Sequence, residues 1–281
     1  MLDPTGERLS IKVYSRIMVE HLHRYAFAGE FVKNKVVLDI ACGEGYGTRL
    51  LANNAKFAYG IDISQEAVEH ASNHYVANNL QYLKGDACSI PLQKEEIDLV
   101  VSFETIEHIS GQELMIQECK RVLKKDGLLI ISTPDKKYYS EIPGYHNPFH
   151  VKELYPEEFR NLVSKYFSNI VLYKQGIVKG GIIYTKEISA GELKVYQGNY
   201  EDISKAEDIS SPEFIILVAG NIPFETKGIS FFESGAVDQK LILEIEKYKK
   251  LYEKLLHSNT YRVGKLLTAP IRALKAITRK E

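Results

Sequence analysis

The sequence is short of several features that would have named its class at once. It holds only three cysteines, Cys42, Cys88 and Cys119, in 281 residues. They are scattered, odd in number and form no C-x-x-C pair. Neither a disulfide framework nor a cysteine metal site is encoded, and a reducing cytoplasm is the expected compartment. Charge of one sign is not in excess, because the net charge is -1. That excludes the global field of a general nucleic-acid binder. No apolar run approaches the roughly 20 residues of a membrane-spanning helix. The first residues, Met1-Leu2-Asp3-Pro4-Thr5-Gly6-Glu7-Arg8, are polar and lack the apolar core of a signal peptide.

What is present is an ordinary globular composition, 44% hydrophobic and 26% charged, enough to bury a core. The length suits one α/β domain with an appendage, or two small domains. One stretch organises the rest: Val36-Val37-Leu38-Asp39-Ile40-Ala41-Cys42-Gly43-Glu44-Gly45-Tyr46-Gly47. A short apolar run, read as a buried parallel strand, breaks into glycines at alternate positions before a helical pattern over 48–53. Such a strand–turn–helix lets the backbone approach a ligand where a Cβ would intrude. The spacing of Gly43, Gly45 and Gly47 is G-x-G-x-G, not the G-x-G-x-x-G of a dinucleotide site.

Ahead of it, Ile11, Tyr14, Ile17, Met18, Leu22 and Tyr25 recur at three- and four-residue steps, so 10–30 reads as an amphipathic helix able to cover the crevice. From it Arg24 or Tyr25 can reach a ligand carboxylate; a solvated surface charge is the other reading of Arg24. A second strand over 57–63 ends in Asp62 and Ile63, and Ser64 caps the next helix. An acid there is placed to accept hydrogen bonds from two ribose hydroxyls, or simply to sit at a helix N-terminus. Further strands are expected over 80–84, 97–102 and 128–132, with a helix ending at the basic run 124–127. After an aromatic loop over 135–156 come a helix over 155–165, a strand over 168–173 and a last strand over 214–219. Alternating strands and helices imply a doubly wound α/β fold with a parallel sheet. The expected layout is an N-terminal lid helix (1–34), the main domain (35–225) and a helical extension (236–281).

In that extension Leu241, Ile245, Tyr248, Tyr252 and Leu255 follow a 4-3-4-3 rhythm, a short coiled-coil seam. Over 258–281, Arg262, Lys265, Arg272, Lys275, Arg279 and Lys280 punctuate apolar residues. This basic amphipathic pattern reads as membrane-surface or partner-binding, or as a solvated oligomerisation helix.

These motifs together resemble the class I S-adenosylmethionine-dependent methyltransferases, over roughly 36–167. The resemblance implies a Rossmann-like seven-stranded sheet with its last strand antiparallel. Asp39 and the turn Gly43, Gly45, Gly47 would hold the methionine part of the cofactor, and Arg24 and Tyr25 are counted with them. Asp62, followed by Ile63, would take the ribose; Asp86 and Ala87 would meet the adenine amino group; Phe103 would lie near the sulfonium.

Phe103-Glu104-Thr105-Ile106-Glu107-His108 is the sharper stretch. If a helix starts after the fourth strand, Glu104, Glu107 and His108 fall at i, i+3 and i+4 on one face. Two carboxylates and an imidazole can hold a divalent cation, and His146 or His150 can complete the set. E-x-x-E-H with a distant histidine is similar to the metal site of small-RNA 2′-O-methyltransferases and quinone-biosynthesis O-methyltransferases. On that resemblance His150, in Pro148-Phe149-His150-Val151-Lys152-Glu153-Leu154, is the favoured partner. Mixed oxygen and nitrogen donors suit Mg²⁺, Mn²⁺, Fe²⁺ or Zn²⁺. A metal-free use of His108, His146 or His150 as general base stands beside this.

Other segments resemble methyltransferases found with glycosyltransferases of bacterial surface-polysaccharide synthesis. The expected acceptor is therefore a sugar hydroxyl of a glycan or activated sugar. A metal-free enzyme for a quinone, lipid or other small acceptor is the second reading, and a non-catalytic cofactor-binding scaffold for a glycosyltransferase the third. Residues 240–256 would join copies of the chain or a glycosyltransferase, and 258–281 would touch the inner face of the membrane. No nucleic-acid partner is expected.

Overall fold

Short runs of Val, Ile and Leu whose successive side chains face opposite ways build the sheet. The computed structural model describes residues 16–177, 195–198, 203–206, 211–232, 234–258 and 261. Five parallel strands come first: β1 Val36–Ile40, β2 Phe57–Asp62, β3 Leu80–Lys84, β4 Ile97–Ser102 and β5 Leu123–Pro134. β6 Asn169–Gln175 follows, then a separate hairpin of β7 Val195–Gly198 and β8 Ile203–Ala206, then β9 Phe214–Gly220. The seven-stranded sheet has the order β3-β2-β1-β4-β5-β9-β6, with β9 antiparallel to both neighbours. This is the expected doubly wound, Rossmann-like sheet with its last strand antiparallel.

Helices cover both faces: α1 Arg16–Gly29, α2 Tyr46–Ala52, α3 Gln65–His74, α4 Gln112–Val122 and α5 Pro156–Ser164. Alternation along each strand decides which side chain meets which layer. Leu38, Val100 and Leu129 pack with Met115 and Ile116 of α4 and Phe159 of α5. Val37, Leu99 and Ile130 turn the other way, onto Phe27 and Ala28 of α1 and Leu51 of α2. The strand order reverses between β1 and β4, and it is there that crevices open at the carboxyl ends of the strands.

Two sequence expectations change, and a third lies partly outside the described residues. The first helix is described from Arg16, and positions 10–15 lie outside the described residues. The basic run 124–127 does not end a helix. α4 stops at Val122 and β5 starts at Leu123, because Glu95 and Glu96 N–H groups bond the Arg121 and Val122 carbonyls and Lys124 reaches Asp98 at 2.7 Å. A register irregularity between Ile97 and Leu99 lets the longer strand join the sheet. No regular helix follows β4: the chain makes one 3₁₀ turn, Ile106–His108, before α4. The loop over 135–156 carries a π-helical turn, Lys137–Glu141.

The chain divides into a unit of residues 1–232 and a second unit, 233–281. The second is described by one helix, α6 Gly235–His257, on which the seam residues Ile245, Tyr248, Tyr252 and Leu255 are exposed. The basic tail beyond 261 lies outside the described residues. Among the described residues no helix is long and apolar enough to cross a membrane.

Candidate active site

A cleft of about 670 Å³ opens at the carboxyl ends of β1, β2, β4 and β5 and runs under α1. Backbone strain marks both of its walls. Ala41, directly after β1, has φ 57°, and Glu104, two residues after β4, has φ 51°. Both line the cleft. Left-handed conformations at residues other than glycine persist where surrounding structure fixes them, commonly at functional sites.

On the β1–β2 side the glycines make a tight turn, and Gly45 and Gly47 give way to the protein's own side chains. Gly43 and Gly45 have φ 54° and 91°. A Cβ on Gly45 would come within 2.6 Å of the Ala71 methyl, and one on Gly47 would fall into the Tyr25 ring. Asp39, buried beneath the turn, accepts from Thr48 Oγ1 at 2.7 Å and from Tyr25 Oη at 3.2 Å. Burial is the main reason its carboxyl is raised to about 7, against the pull of those two donors. Asp62 accepts from the Gly43 N–H with one oxygen and the Ser64 N–H with the other, each at 2.9 Å. That fixes the carboxylate and leaves its further lone pairs toward the cleft, which Asp62 lines. Phe103 closes this end edge-to-face on Tyr25, 5.1 Å between ring centroids.

The β4–β5 side is held by long-range bonds that the sequence did not reveal. Gln112 Nε2 donates to the carbonyls of Ile106 and Lys152, and the Val151 and Lys152 N–H groups donate to the Glu107 carbonyl. The loop after β5 is thereby pinned against the turn after β4, which brings Glu107, His108 and His150 together. One ligand atom from each lies within 4.8 Å of the others. Glu107 is 1% exposed. Burial, then the charge of Glu104, holds its carboxyl well above the usual range, while Thr133 Oγ1 donates to it at 3.3 Å.

The two imidazoles are oriented from behind. His108 Nδ1 lies 3.0 Å from the Phe149 carbonyl and His150 Nδ1 lies 2.6 Å from Glu153. Both partners only accept, so each Nδ1 carries a proton and each Nε2 is the ligand-capable nitrogen. Asn147 Nδ2 sits 3.0 Å from His150 Nε2, and Tyr139 stacks on the same ring at 5.3 Å.

Glu104 does not join this group. Its left-handed backbone breaks the expected i, i+3, i+4 face. Its carboxylate accepts from Ser132 Oγ at 2.6 Å and lies 3.6 Å from Arg24. Arg24 is buried, so the solvated reading fails: its Nε donates to Gln175 at 2.7 Å and its guanidinium lies 4.5 Å from the Phe214 ring. Asp39, Gly45 and Gly47 lie behind the cleft lining, and Ile63, Asp86, Ala87 and His146 are also outside it. His146 and Ile63 are exposed; Asp86 is exposed and accepts from the Cys88 N–H at 2.8 Å, with Ala87 packed toward the core behind it. Sequence reasoning missed Glu20, His21, Tyr46, Asn147 and Glu213 in the lining. His21 faces Tyr46 Oη at 3.2 Å; burial, with Arg24 beside it, lowers it to about 3. Its place on the cleft side of α1, one helical step before Arg24 and Tyr25, was the available signal.

Comparison with known proteins bears on the fold that carries this cleft. Residues 38–131 match a family model described as a methyltransferase domain. A protein of Mycobacterium tuberculosis named as a probable S-adenosylmethionine-dependent methyltransferase is 37% identical over 130 residues, which cover 45% of this chain and 46% of the relative. The ubiquinone biosynthesis O-methyltransferase of Coxiella burnetii is 24% identical over 138 residues, 48% of this chain and 57% of that protein. The chain thus spans about half the length of the curated relatives it matches. Among solved structures, a methyltransferase of Thermotoga maritima superposes with a TM-score of 0.52 at 20% identity, covering 73% of this chain and 93% of that one. The YcgJ protein of Bacillus subtilis does so with 0.51 at 17%, covering 72% and 100%. Residues 38–131 are thus similar to methyltransferase domains, and the sheet has the fold of solved methyltransferases.

Proposed function

We propose that the chain is an O-methyltransferase that uses S-adenosylmethionine and a divalent cation held by Glu107, His108 and His150, and that its acceptor is a sugar hydroxyl of a glycan or activated sugar. The observation that carries the metal reading is the trio itself. A buried carboxyl whose ionisation is costly faces two imidazoles, each with Nδ1 bonded from behind, as metal-ligating histidines are. One oxygen and two nitrogen donors fit Zn²⁺, Fe²⁺ or Mn²⁺ better than Mg²⁺. When bound, the cation supplies the Lewis acidity that lowers the pKa of a sugar hydroxyl, and S-adenosylmethionine supplies the methyl group.

The chain's own residues do the rest. Asp62 accepts from the ribose hydroxyls, the Gly43–Gly47 turn and the Asp39–Tyr25–Thr48 set shape the methionine end, and Phe103 borders the reacting centre. Tyr139 and Phe149 offer ring faces to the apolar CH face of a sugar. The alternative is a metal-free enzyme in which His150, backed by Glu153, takes the acceptor proton; the 2.6 Å bond between them favours it. The relative named for ubiquinone biosynthesis would fit such an acceptor. Residues 240–256 are read as the contact to a second copy or a glycosyltransferase, and 258–281 as a membrane-surface segment.

Chelation decides between the two. The protein is incubated with labelled S-adenosylmethionine and a panel of nucleotide sugars and glycans, with and without EDTA. On the metal reading, EDTA and Glu107→Gln each lower turnover at least 100-fold and added Mn²⁺ or Zn²⁺ restores only the first. Turnover that survives both leaves the histidine-base reading.

A further inference from the structure

Arg24 is the one Arg or Lys side chain that lines the cleft among the described residues. It is 1% exposed, and its Nη1 is buried without a hydrogen-bond partner. A buried cationic donor left unbonded is costly, and the strongest partner it can take is an anionic oxygen. The same Nη1 faces the Glu104 carboxylate at 3.6 Å, an ion pair beyond hydrogen-bond reach, while Glu104 is itself bonded to Ser132.

Where the guanidinium is anchored matters more. It rests on Phe214, the first residue of β9, and bonds Gln175, the last of β6. Gln175 is locked in turn by donating to the Glu20 carbonyl at 2.9 Å. In the strand order these anchors stand two and three strands beyond β4. At about 4.8 Å per strand they are roughly 10 and 14 Å past it. The ribose and methionine ends of the proposed cofactor site stand on the other side, at Asp62, the last residue of β2, and Asp39 in β1. Tyr25, the next residue of the same helix, points there. Adjacent residues of α1 thus serve opposite halves of the cleft.

We propose that Arg24 is a specificity residue of the acceptor subsite: Nη1 receives an anionic oxygen carried by the acceptor, a carboxylate or a phosphate ester, and not the carboxylate of the cofactor. The acceptor class this names is an acidic sugar. The inference rests on the methyl-transfer reading of the cleft, and S-adenosylhomocysteine binding by the wild-type chain checks that reading separately.

The test uses the full chain saturated with S-adenosylhomocysteine, titrated calorimetrically with glucuronate, glucose 6-phosphate and methyl glucoside. Arg24→Gln and Arg24→Lys are run alongside, and transfer assays with labelled S-adenosylmethionine use the same three sugars. The wild type is expected to bind at least one acidic sugar 10-fold or more tighter than methyl glucoside. Arg24→Gln erases that preference, Arg24→Lys keeps part of it, and S-adenosylhomocysteine affinity stays within about twofold in both variants, which also certifies their fold. Glucuronate and glucose 6-phosphate separate carboxylate from phosphate. The proposal is overturned if the acidic sugars bind no better than the neutral one, or if the preference survives Arg24→Gln. It is overturned equally if Arg24→Gln weakens S-adenosylhomocysteine 10-fold while 5′-methylthioadenosine, which lacks the amino-acid carboxylate, binds as before.

Discussion

Replacing Asp39 by Asn isolates the electrostatics under the glycine turn. Raising a carboxyl from 3.8 to about 7 makes its ionisation in the folded state cost about 4 kcal/mol. Between those values the folded chain holds the proton and the unfolded chain releases it. Stability therefore falls as pH rises from about 4 to about 7 and stays level above. Asn has no such titration. It keeps one carbonyl for Thr48 and Tyr25 but adds an amide N–H₂ where the acid accepted, an unmet donor worth roughly 1–3 kcal/mol. The variant is thus less stable than the wild type at pH 4, gains about 4 kcal/mol relative to it by pH 8, and the two curves cross between about pH 4.5 and 6.

Urea unfolding of the ligand-free chain at half-unit pH steps measures this, and the difference between the two proteins is the quantity to follow. The raw wild-type curve is blurred by His21, whose lowered value works the other way: stability is lost as pH falls from 6.5 toward about 3. His21 is present in both proteins, so the subtraction removes it. A difference that stays flat within about 1 kcal/mol from pH 4 to 8 would refute the argument that burial dominates Asp39.

Two further substitutions test the frame around the site. Gly45→Ala forces a Cβ onto a residue at φ 91° and to within 2.6 Å of Ala71; urea unfolding should show a loss of about 2–4 kcal/mol, strain and overpacking together. Glu153→Ala removes the carboxylate that orients His150 and should weaken Mn²⁺ or Zn²⁺ binding roughly 10- to 100-fold. Glu153→Gln, which can still accept from Nδ1, should recover most of it; equal losses in both would mean that Glu153 serves the packing and not the ring's orientation.

The β1–β2 wall of the cleft was legible because its parts are contiguous. A strand, a glycine turn and an acid at the end of the next strand are local features, and Gly43, Gly45 and Asp62 stand where their spacing put them. The β4–β5 wall was not, because it is made by pairs far apart in sequence. Arg24 meets Gln175, His108 meets the Phe149 carbonyl, and Gln112 clamps Lys152. Periodicity says nothing of such contacts. The start of β5 was misread for a related reason: Lys124, Lys125 and Gly127 look like a helix end, and only the pairing of Lys124 with Asp98 across the sheet shows them to be strand.

The left-handed turn at Glu104 explains why the two carboxylates of E-x-x-E-H part company. In a helix they would share one face and raise each other's cost of ionisation at close range. With φ at 51°, Glu104 is swung to Ser132 and Arg24, where a hydroxyl and a guanidinium meet its charge. Glu107 keeps the buried place beside the imidazoles, and the charge of Glu104 still contributes to keeping its carboxyl protonated above the usual range. A cation held at the imidazoles would offset both the burial and that repulsion, so on the proposed metal reading Glu107 would give up its proton to hold one. On the proposed reading one strained residue separates two tasks: Glu104 would balance the arginine assigned to the acceptor, and Glu107 would await the cation that activates it. On this view metal affinity rises with pH through the titration of Glu107, and Glu104→Gln, by removing the repulsion, would weaken that dependence while leaving the three ligands in place.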